Sequence, residues 1–272
     1  MSTSHGAAAV PPGPEGGSIF ARRVANKVPE VTLVFWVIKV LTATVAQGAS
    51  DFVEDTLGFG IANAIKVFAA VLAVVLLAQF RLDLYVPVAY WLAAGVVCVL
   101  AALVVDAIAD GRVSLAAGTS VLAALLGAVF AVWWSVERTL SLDTVVTTRR
   151  EAFYWLAVFL AFALGIAMGA LADERTDVDY AVWIGLFGVV VALIALAYRL
   201  GANAIVTFWL AFVATSPLGG ALGEEVSLSN RRRGGLGLGM TPTCMVALAV
   251  IAALVAYLTL ARRGRGPSGA TA

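Results

Sequence analysis

Four charged side chains stand where their chemistry demands an explanation. Lys39 lies about ten residues into the first apolar span, which contains LVFWVIKVLTATVAQGAS, while Asp51, Asp106 and Glu224 each close such a run. A charge in the middle of a hydrocarbon layer costs enough to require a partner, a water-filled cavity or neutralisation. Carboxylates at the end of an apolar run can gather cations. Two or three of their oxygens in one place suit hard ions such as Mg²⁺, Ca²⁺ or Mn²⁺, which makes Asp51, Asp106 and Glu224 candidate metal ligands and candidates for proton coupling. Thr42, Thr44 and Gln47 lie between Lys39 and Asp51, so that Lys39, Thr42, Gln47 and Asp51 form a polar track inside a span. Lys66, nearer the outer end of the next run, can snorkel or pair with Asp51 or Glu54. The competing account is that the acids end helices in water and Lys39 is held by a purely structural pair.

Other chemistries lack their parts. The single histidine, His5, sits in the N-terminal tail, and no Gly-x-Ser-x-Gly, Cys/His pair or His-Glu-x-x-His occurs. A retinal Schiff base on Lys39 or Lys66 is disfavoured, because no later span carries a lysine. The string Gly234-Gly235-Leu236-Gly237-Leu238-Gly239 follows no strand and leads into an apolar run, so it fails as a phosphate loop and reads as a hairpin. Neither an enzymatic activity nor a cofactor is expected.

The elements that carry these residues follow from composition. Of 272 residues, 61% are apolar and 13% charged, against about half and about a quarter in soluble domains. Mean hydropathy is +0.96. Water cannot solvate such a chain, so the apolar excess must face lipid. With a net charge of +1 and scattered basic residues, a nucleic-acid partner is excluded. Two cysteines inside apolar runs, Cys98 and Cys244, exclude a disulfide scaffold.

Eight runs, at roughly 30–50, 58–80, 84–107, 113–136, 151–172, 178–200, 203–223 and 241–262, are each long enough to cross a ~30 Å core as helices. Residues 1–28 and 264–272 read as disordered tails flanking a membrane domain over 29–263. The stretch 51–60 is the least defined boundary. Eight spans put both termini on one side, which carries eleven of the 18 basic residues against five opposite, with Lys39 and Lys66 inside spans. The positive-inside rule therefore places both termini in the cytoplasm, although Arg231, Arg232 and Arg233 fall outside. Eleven of the 17 acids, Glu54, Asp55 and Asp177 among them, belong to the outer side.

An aromatic residue followed by tryptophan recurs at Phe35-Trp36, Tyr90-Trp91, Tyr154-Trp155 and Phe208-Trp209. Fewer than one such pair is expected by chance, so the series marks an internal repeat. Ten residues beyond each tryptophan stand Ala46, Ala101, Gly165 and Gly219, and fifteen beyond stand Asp51, Asp106, Ala170 and Glu224. The expected fold is all-α, with eight transmembrane helices as four parallel two-helix repeats, about 29–81, 82–137, 149–200 and 201–263. Odd helices carry the marks and should lie inside; even helices, nearly featureless, should face lipid. Repetition also argues that the first span is retained rather than cleaved as a signal peptide. Gly165-x-x-x-Gly169 and Gly219-x-x-x-Gly223 are packing surfaces in this reading, and Thr215-Ser216-Pro217 is a kink in the seventh span.

The segments KVPEVTLVFWVIKVLTATVAQGASDF (27–52), RREAFYWLAVFLAFALGIAMG (149–169) and NAIVTFWLAFVATSPLGGALGE (203–224) resemble a family of bacterial multi-pass membrane proteins built from repeats of unknown function. The resemblance spans about 28–262. It implies an inner-membrane protein with four repeat copies and brings no established activity or catalytic residue. It further implies that an acid is usual where this chain has Gln47 and Ala170. The function expected from these readings is a small-solute or cation transporter or exporter, possessing a path lined by Lys39, Thr42, Gln47, Asp51, Asp106 and Glu224. Its partners would be the bilayer and the solute. The rival expectation is a membrane scaffold or regulatory subunit without transport.

Overall fold

The computed structural model describes residues 26–53, 58, 60–111, 113–176, 178–228 and 235–264. The expected tails over 1–25 and 265–272, together with Glu54, Asp55, Arg112, Asp177 and Arg231–Arg233, lie outside the described residues. Eight helices follow one another: α1 (Leu33–Asp51), α2 (Ile61–Phe80), α3 (Pro87–Ala109), α4 (Leu115–Glu137), α5 (Thr148–Arg175), α6 (Tyr180–Arg199), α7 (Ala204–Ser227) and α8 (Met240–Gly264). All are long and apolar enough to cross a membrane, and the described residues contain no strand. This is an all-helical, multi-pass membrane protein.

Polar side chains set where several odd helices begin. Thr32 accepts from the Phe35 N–H, Thr147 from Arg150, and Asn203 from Ile205 and Val206, while Pro87 opens α3 with its missing donor at the first turn. These ends share one side of the bundle, here termed the terminal face, with Arg81, Arg149, Arg199 and Arg262. Asp51, Asp106, Asp173 and Glu224 end up on the other, acidic, face.

Burial separates the two sets of helices. Between 50% and 61% of the apolar window of α1, α3, α5 and α7 is buried, against 6% to 22% for α2, α4, α6 and α8. The odd helices close a ring in which α1 packs on α3, α3 on α5, α5 on α7 and α7 on α1. The even helices stand outside it. Each docks chiefly on the odd helix of the next repeat: α2 on α3, α4 on α5, α6 on α7, and α8 back on α1. Within the first three repeats the two helices scarcely touch, so the repeat is a unit of chain and not a closed hairpin.

Because lipid supplies no hydrophobic drive between helices, close backbone approach has to hold the ring. A Cβ on Gly219 would run into the Val40 carbonyl oxygen and stand 2.8 Å from Ala43 Cβ, and one on Gly165 would meet Val213 O and Ser216. Gly223 and Gly169 sit one turn further on, against Thr44 and Pro217. Thr44 Oγ1 adds a 2.6 Å hydrogen bond to Gly219 O across the α1–α7 seam. These glycines pack, as their spacing suggests.

The start of the described chain departs from the expected tail. Lys27 is buried and donates to Glu151 Oε2 at 2.9 Å and to Phe80 O at 3.2 Å, and its backbone N–H reaches Val145 O. Tyr85 N in turn donates to Asn26 O. Residues 26–28 thus form a strap stitched to two loops and to α5. Sequence reading placed them in a tail because Glu151, which neutralises Lys27, lies 124 residues away.

Gly219→Ala should lower stability by about 1–3 kcal/mol through overpacking, whereas Gly220→Ala, whose Cβ meets nothing within 4 Å, should be neutral or stabilising. Unfolding of the purified proteins in detergent checks both.

Candidate functional site

The four aromatic-tryptophan pairs form an interlocked ring near the terminal face. The first aromatic of each copy packs on the tryptophan of the next: Phe35 on Trp91 at 5.4 Å, Tyr90 on Trp155 at 5.3 Å, Tyr154 on Trp209 at 6.2 Å, and Phe208 on Trp36 at 5.7 Å. A 2.5 Å hydrogen bond joins the Tyr90 and Tyr154 hydroxyls. Tyr85 packs on Tyr90 from outside, and Arg262 of α8 lies over the Tyr85 ring while donating to its carbonyl. Burial pushes the Tyr85 phenol up to about 12, against the lowering influence of Trp91 and Arg262. Eight rings thereby interlock at this level of the bundle.

Above them, every fourth residue counted from the third after each tryptophan meets at the axis. The first layer is Lys39, Ala94, Val158 and Phe212; the second is Ala43, Cys98, Phe162 and Ser216. All eight are buried. The third layer holds Gln47, Ala102, Ile166 and Gly220, and the fourth Asp51, Asp106, Ala170 and Glu224; except for Ala102, these are half-buried. A spacing of four residues keeps side chains on one stripe of a helix. Twelve residues separate the first layer from the last, about 18 Å of rise.

Lys39 is 1% exposed. Its Nζ donates to Ser216 Oγ at 2.7 Å and stands 5.0 Å and 4.8 Å from the centroids of Phe162 and Phe212. Among the described residues no carboxylate lies within ion-pair distance of it. Hydroxyl and aromatic faces therefore supply what compensation this side chain receives. Ser216 belongs to the segment carrying Pro217, where the proline removes one backbone donor of α7, while Thr215 and Ser216 turn their own hydroxyls onto the preceding turn.

A cavity of about 190 Å³ occupies the upper layers. Ala43 and Gln47 line it from α1, Asp106 from α3, Ile166, Ala170 and Asp173 from α5, and Ser216, Gly220 and Glu224 from α7. Tyr180, Trp183 and Phe187 of α6 complete the wall. Ser216, the acceptor of Lys39, thus belongs to the same cavity as three carboxylates. Lys39 itself lies just behind that floor.

The expected site residues divide accordingly. Gln47, Asp106 and Glu224 meet at the cavity, and Ser50 Oγ donates to Asp106 Oδ2 at 2.5 Å. Asp51 does not line it, although its charge reaches Glu224 and Cys244. Thr42 turns its hydroxyl onto Ile38 O of its own helix at 2.8 Å, which breaks the expected polar track. The reason is periodicity: the axial stripe of α1 runs 39, 43, 47, 51, and residue 42 points elsewhere. Lys66 Nζ donates to Asn63 Oδ1 at 3.4 Å, and Glu54 lies outside the described residues. Among the described residues no three histidine, cysteine or carboxylate side chains form a group that could hold a metal ion.

Sequence reading missed Asp173 as a site residue. It lies three residues beyond Ala170, the third copy's place in the repeat frame, and so restores an acid to that helix one turn higher. A search one turn beyond each frame position finds it. The α6 aromatics were missed because the even helices looked featureless.

Comparison with known proteins agrees with the repeat frame. Residues 34–85 and 207–264 match the family model Repeat of Unknown Function (DUF347), one match covering α1 with α2 and the other α7 with α8. No curated protein and no solved structure matches the chain.

Ser216→Ala would leave the Lys39 amine without its oxygen acceptor and should cost about 1.5–3 kcal/mol, whereas Lys39→Met should be tolerated. Equal losses in unfolding experiments on the two variants would contradict this pairing.

Proposed function

We propose that this chain is a non-enzymatic transporter of a small solute or cation, working in the bacterial inner membrane with its terminal face in the cytoplasm. One observation carries the reading: a cavity with acids at its upper end stops at Ser216 and Lys39, above eight interlocked aromatic rings. That is how a path looks when it is filled on one side only. Moving a solute to the terminal face would require the rings to part, and Lys39, held by a hydroxyl rather than a carboxylate, is the group whose partner could change during that step. In this reading Asp106, Asp173 and Glu224 collect the solute, and Lys39 acts as internal counter-charge or proton-linked switch.

The orientation rests on the basic residues of the terminal face, among them Lys27, Arg81, Arg138, Arg149, Arg150, Arg199, Arg262 and Arg263. The bilayer is the one partner assigned besides the solute. A scaffold is the second reading, favoured by the complete burial of Lys39 and by the tight glycine seams.

Flux into proteoliposomes separates the two. A panel of monovalent and divalent cations and small neutral solutes should give uptake for at least one member, reduced about tenfold or more by Asp106→Asn. In parallel, Gln47→Cys on a Cys98→Ser, Cys244→Ser background should react with impermeant thiol reagents from either face during turnover. Sealed vesicles for every solute, with Gln47→Cys reactive from the acidic face alone, would leave the scaffold.

A further inference from the structure

The cavity wall narrows the class of solute. Its volume of about 190 Å³ lies below the roughly 300–1,000 Å³ usual for drug-sized pockets and suits a small solute. The three lining carboxylates approach from α3, α5 and α7, and no three such groups can share one metal ion among the described residues. Diffuse negative charge of this kind suits a bulky cation better than a small ion that needs its oxygens at close range.

A second feature comes from a different helix. Trp183 and Phe187 of α6 line the cavity with their rings stacked at 5.6 Å and 26°. An aromatic face attracts an ammonium group and packs against its carbon substituents, yet gives a metal ion no ligand. The bundle already holds one alkylamine head in similar surroundings, since Lys39 lies between two phenylalanine rings with a hydroxyl as acceptor.

We propose that the cavity binds a small organic ammonium ion, with its charged nitrogen among Asp106, Asp173 and Glu224 and its carbon frame against Trp183 and Phe187. The inference rests on the transport reading only in taking this cavity as the path; binding is measured separately from flux.

The test uses the full chain in lipid nanodiscs and labelled 2-aminoethanol hydrochloride in equilibrium dialysis, at constant ionic strength. Saturable binding is expected. Unlabelled 2-aminoethanol and tetramethylammonium chloride should both compete, and MgCl₂, MnCl₂ and KCl more weakly. Trp183→Leu should weaken binding about tenfold and Trp183→Phe by less than about threefold, with Glu224→Gln weakening it at least as much as Trp183→Leu. Unchanged elution and thermal midpoint establish that each variant is folded, and the competition series on the unsubstituted protein needs no variant. No saturable binding, displacement by divalent ions at lower concentration than by unlabelled 2-aminoethanol, or wild-type binding by folded Trp183→Leu would overturn the proposal. Divalent-ion flux without ammonium binding would sink this inference and leave transport standing; ammonium binding in vessels that pass no solute would do the reverse.

Discussion

Inside a bilayer a helix gains nothing by hiding a leucine from its surroundings, because lipid tails are as apolar as the leucine. What holds α1, α3, α5 and α7 in a ring must therefore be close contact, and the closest contacts run through α7. Gly219 lets its backbone reach the Val40 carbonyl of α1, and Gly165 of α5 receives Val213 O on the other flank. Thr44 adds a hydrogen bond to Gly219 O at the first of these seams. Everything at the axis depends on that approach. Ser216 reaches Lys39 only because α7 stands this near to α1, and the aromatic interlock from Phe208 to Trp36 crosses the same seam.

Repetition supplies a symmetric frame, and divergence within the frame creates the site. In the first layer one copy has lysine while the others have alanine, valine and phenylalanine; in the second, Phe162 and Ser216 stand opposite Ala43 and Cys98. Large rings fill one side of the floor and small residues leave the other to the lysine chain. Further up, Gly220 and Ala170 provide room instead of bulk, and space opens where a strictly repeated sequence would have packed four identical side chains.

Much of this was legible without a structure. Apolar runs set the spans, the aromatic-tryptophan pairs set the frame, and featureless even helices implied an outer ring. Asp106, Glu224 and Gln47 reach the cavity because the frame already had them in register. What could not be read was lateral: no local pattern says that α2 leaves its own repeat to dock on α3. Asp173 escaped by lying one turn off the frame, Trp183 by lying on a helix whose neighbours were unknown, and Lys27 by having its acid 124 residues away. Thr42 lies off the axial stripe and turns its hydroxyl onto Ile38 O.

The docking of each even helix on the following repeat has a temporal side. During synthesis α2, α4 and α6 meet partners made soon after them, but α1 must wait for α7 and α8. The hydrogen bonds from Lys39 and Thr44 span 177 and 175 residues. Until the final quarter of the chain is inserted, α1 has one flank open to lipid and Lys39 has no hydroxyl to receive it. Birth order thus leaves the costliest side chain in the bundle as a late arrival at its place, and a chain truncated before α7 should be a quality-control substrate rather than a smaller version of the same protein.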